Sequence, residues 1–168
     1  MKVIGAADAE VHDRIVLPFP QEQVWDFIAD IRNSNRWMFG VREVVGSFRH
    51  PLQEGDHLRI RLVAGGKLAD SEWVIGACER PHLVTSRGHA MGASAELRIE
   101  CTALGPESTE VVQSLRYQLP GGFLGVIAAR FGVRTILETQ ARRSLQALSA
   151  QLRARAGRGG LTPQAAPD

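Results

Sequence analysis

The sequence predicts an α+β domain: a curved antiparallel sheet of seven strands wrapped round one long C-terminal helix, with two short helices after the first strand. Three observations predict it. An alternating segment, Val11 to Leu17, runs into Pro18-Phe19-Pro20 and then a helix-like block with two tryptophans. Six further strand-like runs follow, separated by turn residues. The last apolar periodicity, Leu124 to Leu152, is helical. A bent sheet and a single rod do not meet everywhere, so a pocket is expected between them.

Met1 to Asp8 carries no period and is expected to be a flexible N-terminus. Val11, Asp13, Ile15 and Leu17 then alternate with His12, Arg14 and Val16, a first strand. Pro18 and Pro20 end it, because proline cannot donate to the ladder, and Pro20 suits the first turn of a helix. Val24, Phe27, Ile28 and Ile31 fall three and four residues apart and give that helix an apolar stripe. Asn33-Ser34-Asn35 breaks it, and a second short helix carries Trp37 and Met38 to Gly40. The remaining strands are expected at Val41 to Arg49, His57 to Ala64, Leu68 to Cys78, His82 to His89, Ala93 to Ala103 and Thr109 to Leu119. Short breaks such as Gly65-Gly66 and Met91-Gly92 make neighbours antiparallel hairpin partners. After Pro120-Gly121-Gly122 the closing helix runs to about Arg155, with Gly132 as a bend or a close approach. One domain is expected over 9–155, with 156–168 as a disordered tail.

Composition narrows the function classes. The apolar fraction of 44% is enough for a core, and no apolar run approaches the roughly 20 residues that span a bilayer. Net charge is only +2, and a third of the Lys and Arg cluster between Arg130 and Arg158, leaving a near-neutral body without a nucleic-acid footprint. Cys78 and Cys101 form neither a CxxC pair nor a metal cluster and read as small buried hydrophobes of a reducing cytoplasm. No Ser-His-Asp arrangement, phosphate loop, HExxH or paired carboxylates appear, so no cofactor and no metal are expected.

The order of elements resembles the START-like superfamily, the helix-grip fold of polyketide cyclases and aromatases, lipid-transfer domains and Bet v 1 allergens. Pro20-x-x-x-Val24-Trp25-x-x-x-x-Asp30 with Asn35-Arg36-Trp37-Met38 is similar to the signature of its bacterial polyketide cyclase and dehydrase branch, and Gly105-x-x-Ser108-Thr109-Glu110-Val111 to the family's turn into its last strand. The likeness covers about Val11 to Leu152 and implies a cavity for a hydrophobic guest. In aromatase and cyclase members an arginine on the strand carrying the inward tryptophan helps hold the folded polyketide. Ala77, four residues after Trp73, stands at the matching place, so that role does not carry over.

Alternation assigns the inward face. Leu58, Ile60 and Leu62 point in against His57, Arg59 and Arg61; Ser71, Trp73, Ile75 and Ala77 point in against Glu72, Val74, Gly76 and Cys78. Ala95, Leu97, Ile99 and Cys101 share one face, as do Val111, Gln113, Leu115 and Tyr117. Polar inward residues are informative, because a buried polar group is costly unless bonded. Gln113 and Tyr117 are candidate ligand or catalytic groups, with internal bonding and wall packing as the plainer readings. Arg134 near the closing helix's stripe is a third candidate, against an exposed pair with Glu138. Asp13 is inward but at an edge. Trp73 is the best cavity wall, a flat face for a ring or acyl chain. Trp37 is expected to rim the mouth, and Trp25 rather than Phe27 to pack deepest under the sheet. His82 is the one histidine on a possible inward face. With Ile127 and Phe131 from the closing helix, these complete the expected lining.

Three functions follow. The first is a binding domain for a polyketide, isoprenoid or acyl compound, as a monomer or homodimer. The second is a cyclase, dehydratase or isomerase that positions such a molecule and steers a proton. The third is a docking domain whose arginines, Arg142-Arg143 and Arg153 to Arg158, meet an acidic protein or membrane surface, against a plain solvated helix face.

Overall fold

Prolines and turn glycines set the element boundaries in the computed structural model, which describes residues 7–46, 48–64, 66–90, 93–119 and 123–159. The order is β1 (Ala7–Leu17), α1 (Gln21–Ala29), a 3-10 turn (Ile31–Asn33), α2 (Ser34–Trp37), β2 (Val41–Val45), β3 (His57–Ala64), β4 (Lys67–Glu79), β5 (Leu83–Ala90), β6 (Ala93–Gly105), β7 (Ser108–Leu119) and α3 (Phe123–Gly159). The strands form one antiparallel sheet in the order β1-β7-β6-β5-β4-β3-β2. Helix α3 packs against β1 and α2, so the two edges of the sheet are brought round the same rod. This is the expected helix-grip arrangement.

Several boundaries differ from the sequence reading by one residue or more, and four of them have a clear cause. Strand β1 starts at Ala7, because Ala7 to Ala9 find partners in Leu119 to Tyr117 of β7. Strand β2 ends at Val45 rather than Arg49, where Gly46 turns the chain at φ +136°. Strand β5 starts at Leu83, leaving His82 in the preceding turn. Helix α3 runs on through Gly157 to Gly159, since Ala154 and Ala156 favour helix and no proline intervenes before Pro163. The expected loose residues 1–6 and the tail beyond 159 lie outside the described residues.

The alternation in β4 also breaks. A bulge between Ile75 and Cys78 puts two residues against one, so Cys78, opposite Val84, turns to the core side in place of Ala77. Its Sγ meets the Leu52 carbonyl at 3.2 Å.

One main core joins both ends of the chain. Val24, Trp25, Phe27 and Ile28 of α1, Ile60, Ile75, Ile99 and Val111 of the sheet, and Leu145, Leu148 and Leu152 of α3 belong to it. Trp25 and Phe27 are buried alike, at 2% and 1% exposure, against the expectation that one would win. The reason is that α1 is enclosed on two sides, by β6 and β7 and by the Arg155 guanidinium of α3, 4.5 Å from the Phe27 ring centre. Trp37 is likewise a core residue at 2% exposure, not a rim residue. Buried Asn33 locks this corner: its Nδ2 donates to the Phe27 carbonyl and its Oδ1 accepts from Arg155.

Candidate ligand-binding site

The register fixes which side chains share the concave face: Trp73 lies opposite Leu58 and Gly88, Gly88 opposite Ala95, and Ala95 opposite Tyr117. Burial along that face is uneven. Toward the α1 end, Ile60, Ile75, Val84, Ile99, Cys101 and Val111 are sealed. Toward the β3–β4 and β5–β6 tips, Leu62, Trp73, Ala95, Leu97 and Leu115 are only half-buried. These side chains lie on the helix-facing side of the sheet and are not sealed by the described residues.

Trp73 is the most elaborated residue in that open half. Its indole lies across Gly88, where an added Cβ would come within 2.4 Å of Trp73 Cδ2. Only a glycine leaves room for the ring there. The indole Nε1 donates to Ser71 Oγ at 2.6 Å, and Ser71, 1% exposed, donates to the His89 carbonyl at 3.0 Å. The polar edge of the indole is therefore satisfied inside the sheet, and what remains for a guest is a fixed apolar surface.

Gln113 stands at the boundary of the two halves, between sealed Val111 and half-buried Leu115. It is 8% exposed, and its Oε1 has no hydrogen-bond partner among the described residues. Rotation of the amide lets it offer either a carbonyl or an NH2 group. Tyr117 is also inward, packed with Val11 and Ala141 at 4% exposure. The sequence expectations for Gln113, Tyr117 and Trp73 thus coincide in one face.

Other expected residues do not join them. Arg134 is exposed and bonded to Glu138 at 2.8 Å, the i,i+4 pair; that bond raises its already high pKa, with the Tyr117 phenol adding to it. Its guanidinium belongs to the helix surface because a carboxylate one turn away holds it there. His82 is exposed, and its Nδ1 faces Gln21 Nε2 at 3.0 Å, which ties α1 to the β4–β5 turn. Leu58, Ile60, Ile75 and Ile99 are filled core rather than lining, and so is Trp37. The side chains of Ile127 and Phe131 lie outside the described residues. Asp13 does face inward on edge strand β1, 3.9 Å from Arg142; an inward charge on an edge strand discourages pairing with another sheet.

Reactive groups are scarce on the inner face. Burial pushes the Cys101 thiol up to about 12, so it stays protonated and inert. Among the described residues no group of three His, Cys, Asp or Glu is placed to hold a metal, and no helix is long and apolar enough to cross a membrane. A concavity of about 900 Å3 lies on the opposite, outer face, an open trough crossing the strands. Most of its lining is outward residues, among them the cross-strand ion pairs of Arg59 with Glu72 at 3.5 Å and Arg87 with Glu96 at 3.4 Å, a solvated surface, and the lining also includes Leu58, Trp73, Gly88 and Ala95.

Residues 8–156 match the family described as polyketide cyclase / dehydrase and lipid transport. The chain belongs to that family. Solved structures of the same fold include the Zhui aromatase/cyclase from Streptomyces sp. R1128, 16% identical with a TM-score of 0.79 over 92% of this chain and 99% of that one. A START superfamily protein from Mycobacterium smegmatis is 14% identical with a TM-score of 0.62, covering 89% and 97%. A norcoclaurine synthase variant from Thalictrum flavum, bound to a transition-state analogue, is 13% identical with a TM-score of 0.67, covering 91% and 99%. A comparison with curated proteins gave no match in sequence. Membership of this family supports a ligand-binding or cyclase role, and structural likenesses at identities this low carry the fold alone.

Proposed function

We propose that this chain holds an apolar small molecule of polyketide, isoprenoid or acyl type between the open half of the sheet and α3. The observation that carries the reading is the uneven burial of the inner face: Ile60, Ile75, Ile99 and Val111 are sealed, whereas Leu62, Trp73, Ala95, Leu97 and Leu115 are half-buried, with Trp73 pinned flat among them. Affinity comes from covering that apolar surface, at about 25 cal/mol per Å2 before ordering costs. Gln113 orients the guest through whichever polar group the amide turns toward it, and Tyr117 closes the wall.

Binding is favoured over turnover because, among the described residues, no histidine or reactive thiol faces the open half, and the one inward carboxylate, Asp13 opposite Gln113 on the edge strand, lies 3.9 Å from the Arg142 guanidinium. The second reading is a cyclase, dehydratase or isomerase that acts by folding a flexible chain, with Gln113 and Tyr117 steering a proton. Titration with the neutral fluorophore N-phenyl-1-naphthylamine, with native mass spectrometry of the purified protein, tests both. Saturable binding that Trp73→Ala weakens and Gln113→Ala alters supports the site. No saturable binding and only empty protein would remove it. With a substrate in hand, Gln113→Ala or Tyr117→Phe lowering turnover more than binding would make it an enzyme; equal losses make it a carrier.

A further inference from the structure

Charge is unevenly placed on this molecule. Residues 31–42 and 139–159 together hold eight of the chain's 20 Lys and Arg and none of its 18 Asp and Glu. The fold sets these two segments side by side. The Phe39 backbone N–H donates to Ser144 Oγ at 2.8 Å, and Arg155 donates to Asn33 Oδ1 at 3.1 Å, so the α2 segment runs antiparallel along the C-terminal half of α3. Elsewhere the arginines sit against carboxylates, as in the pairs of Arg14, Arg49, Arg61, Arg80 and Arg98. In these two segments Arg32 meets Asp30 at 2.7 Å and Arg142 meets Asp13 at 3.9 Å, whereas Arg36, Arg42, Arg143, Arg153 and Arg158 have no carboxylate in salt-bridge range among the described residues.

The face has an apolar projection as well. Phe39 is 47% exposed, with the Arg143 guanidinium 5.0 Å from its ring centre. Its backbone is fixed by the bond to Ser144 and by the turn at Gly40, φ +90°, whose carbonyl accepts from Val63 N at 2.9 Å. The aromatic ring is held out, not left loose.

We propose that this face docks on an anionic lipid bilayer. From Arg142 to Arg158 the helix runs about 24 Å at 1.5 Å per residue, and the exposed positions between the arginines are short or uncharged, such as Gln146, Ala150, Ala154 and Gly157. Long cations over short neighbours offer little shape for a protein to fit and need only a negative plane. Each arginine near such a plane contributes attraction that salt weakens, and Phe39 inserts at the headgroup level. The inference rests on the apolar-guest reading only in that such a guest has to be exchanged with a lipid phase.

Co-sedimentation of the full chain with vesicles tests it, comparing phosphatidylcholine alone with phosphatidylcholine containing about a third phosphatidylglycerol, a composition whose surface potential draws basic segments. The expected result is pelleting with the anionic vesicles only, reversed by salt, and weakened about fivefold for each arginine withdrawn in Arg143→Gln and Arg153→Gln. Phe39→Ser lowers the binding that survives moderate salt. Arg59→Gln with Arg87→Gln, on the outer trough, removes the same net charge and leaves pelleting unchanged. No preference for anionic vesicles, equal losses in the two double variants, or retention on polyglutamate resin without vesicle binding would overturn it, the last in favour of an acidic protein partner. N-phenyl-1-naphthylamine binding in the same variants separates the two readings: intact probe binding with no vesicle binding sinks the docking face alone.

Discussion

At the scale of single residues, Gly88 and Asp56 carry more than their side chains suggest. Gly88 gives up its Cβ so that Trp73 can lie across it, and the backbone carbonyl of Glu72 would also be only 2.6 Å from that Cβ. Gly88→Ala is expected to cost about 1–3 kcal/mol through overpacking, with a changed near-ultraviolet circular dichroism signal from the displaced indole. A thermal melt unchanged from wild type would show that Trp73 is free to move. Asp56 is 4% exposed and accepts from the backbone N–H groups of Arg49 and Gln53 and from the Arg49 guanidinium. Burial pushes its carboxyl up, but those bonds outweigh it and hold the pKa below the ordinary value. A carboxyl whose folded pKa is depressed contributes stability that is present above its unfolded pKa and lost as pH falls through the folded one. Urea midpoints should therefore fall below about pH 4, and Asp56→Asn should lose about 1–3 kcal/mol at neutral pH while flattening that acid limb. Neither role was legible in the sequence, where Asp56 falls in the break between two expected strands and Gly88 is one residue in a strand. Trp73, Gln113 and Tyr117 were legible, because alternation alone places them on the inner face.

At the scale of elements, the sequence shows strands and helices well and their ends poorly. Pairing decides an end, as at Ala7, and pairing is not local. The bulge in β4 reversed Ala77 and Cys78 for the same reason: an inserted residue leaves the composition of a strand unchanged and shifts every later side chain. His82 was lost when β5 began one residue later. Arg134 illustrates the opposite case, since its exposed pair with Glu138 was one of the two readings the spacing allowed. The contact between the α1–α2 corner and α3 had no signal at all, as Asn33 and Arg155 are 122 positions apart. A double-mutant cycle on Asn33→Ala and Arg155→Ala should give a coupling of about 0.5–3 kcal/mol by urea denaturation. Additive losses would mean that the corner is held by packing alone.

At the scale of the whole molecule, the helix-grip arrangement separates a closed end from an open one, and the three tryptophans report on the two. Trp25 and Trp37 are 2% exposed in the sealed core, whereas Trp73 is half-buried in the open part of the face. Acrylamide, being small and neutral, reaches only the indole that water reaches. The quenching curve of the empty protein should therefore contain one accessible component, and Trp73→Phe should remove it while leaving the other two tryptophans dark to the quencher. A non-fluorescent apolar guest such as palmitate should suppress the same component by covering the ring. If it binds the folded state alone, at a concentration a hundredfold above Kd it should also stabilise the fold by about 2.7 kcal/mol. The two effects have to titrate together, because one event, filling of the space over Trp73, causes both. A thermal shift without protection of Trp73 would put the guest elsewhere on the protein.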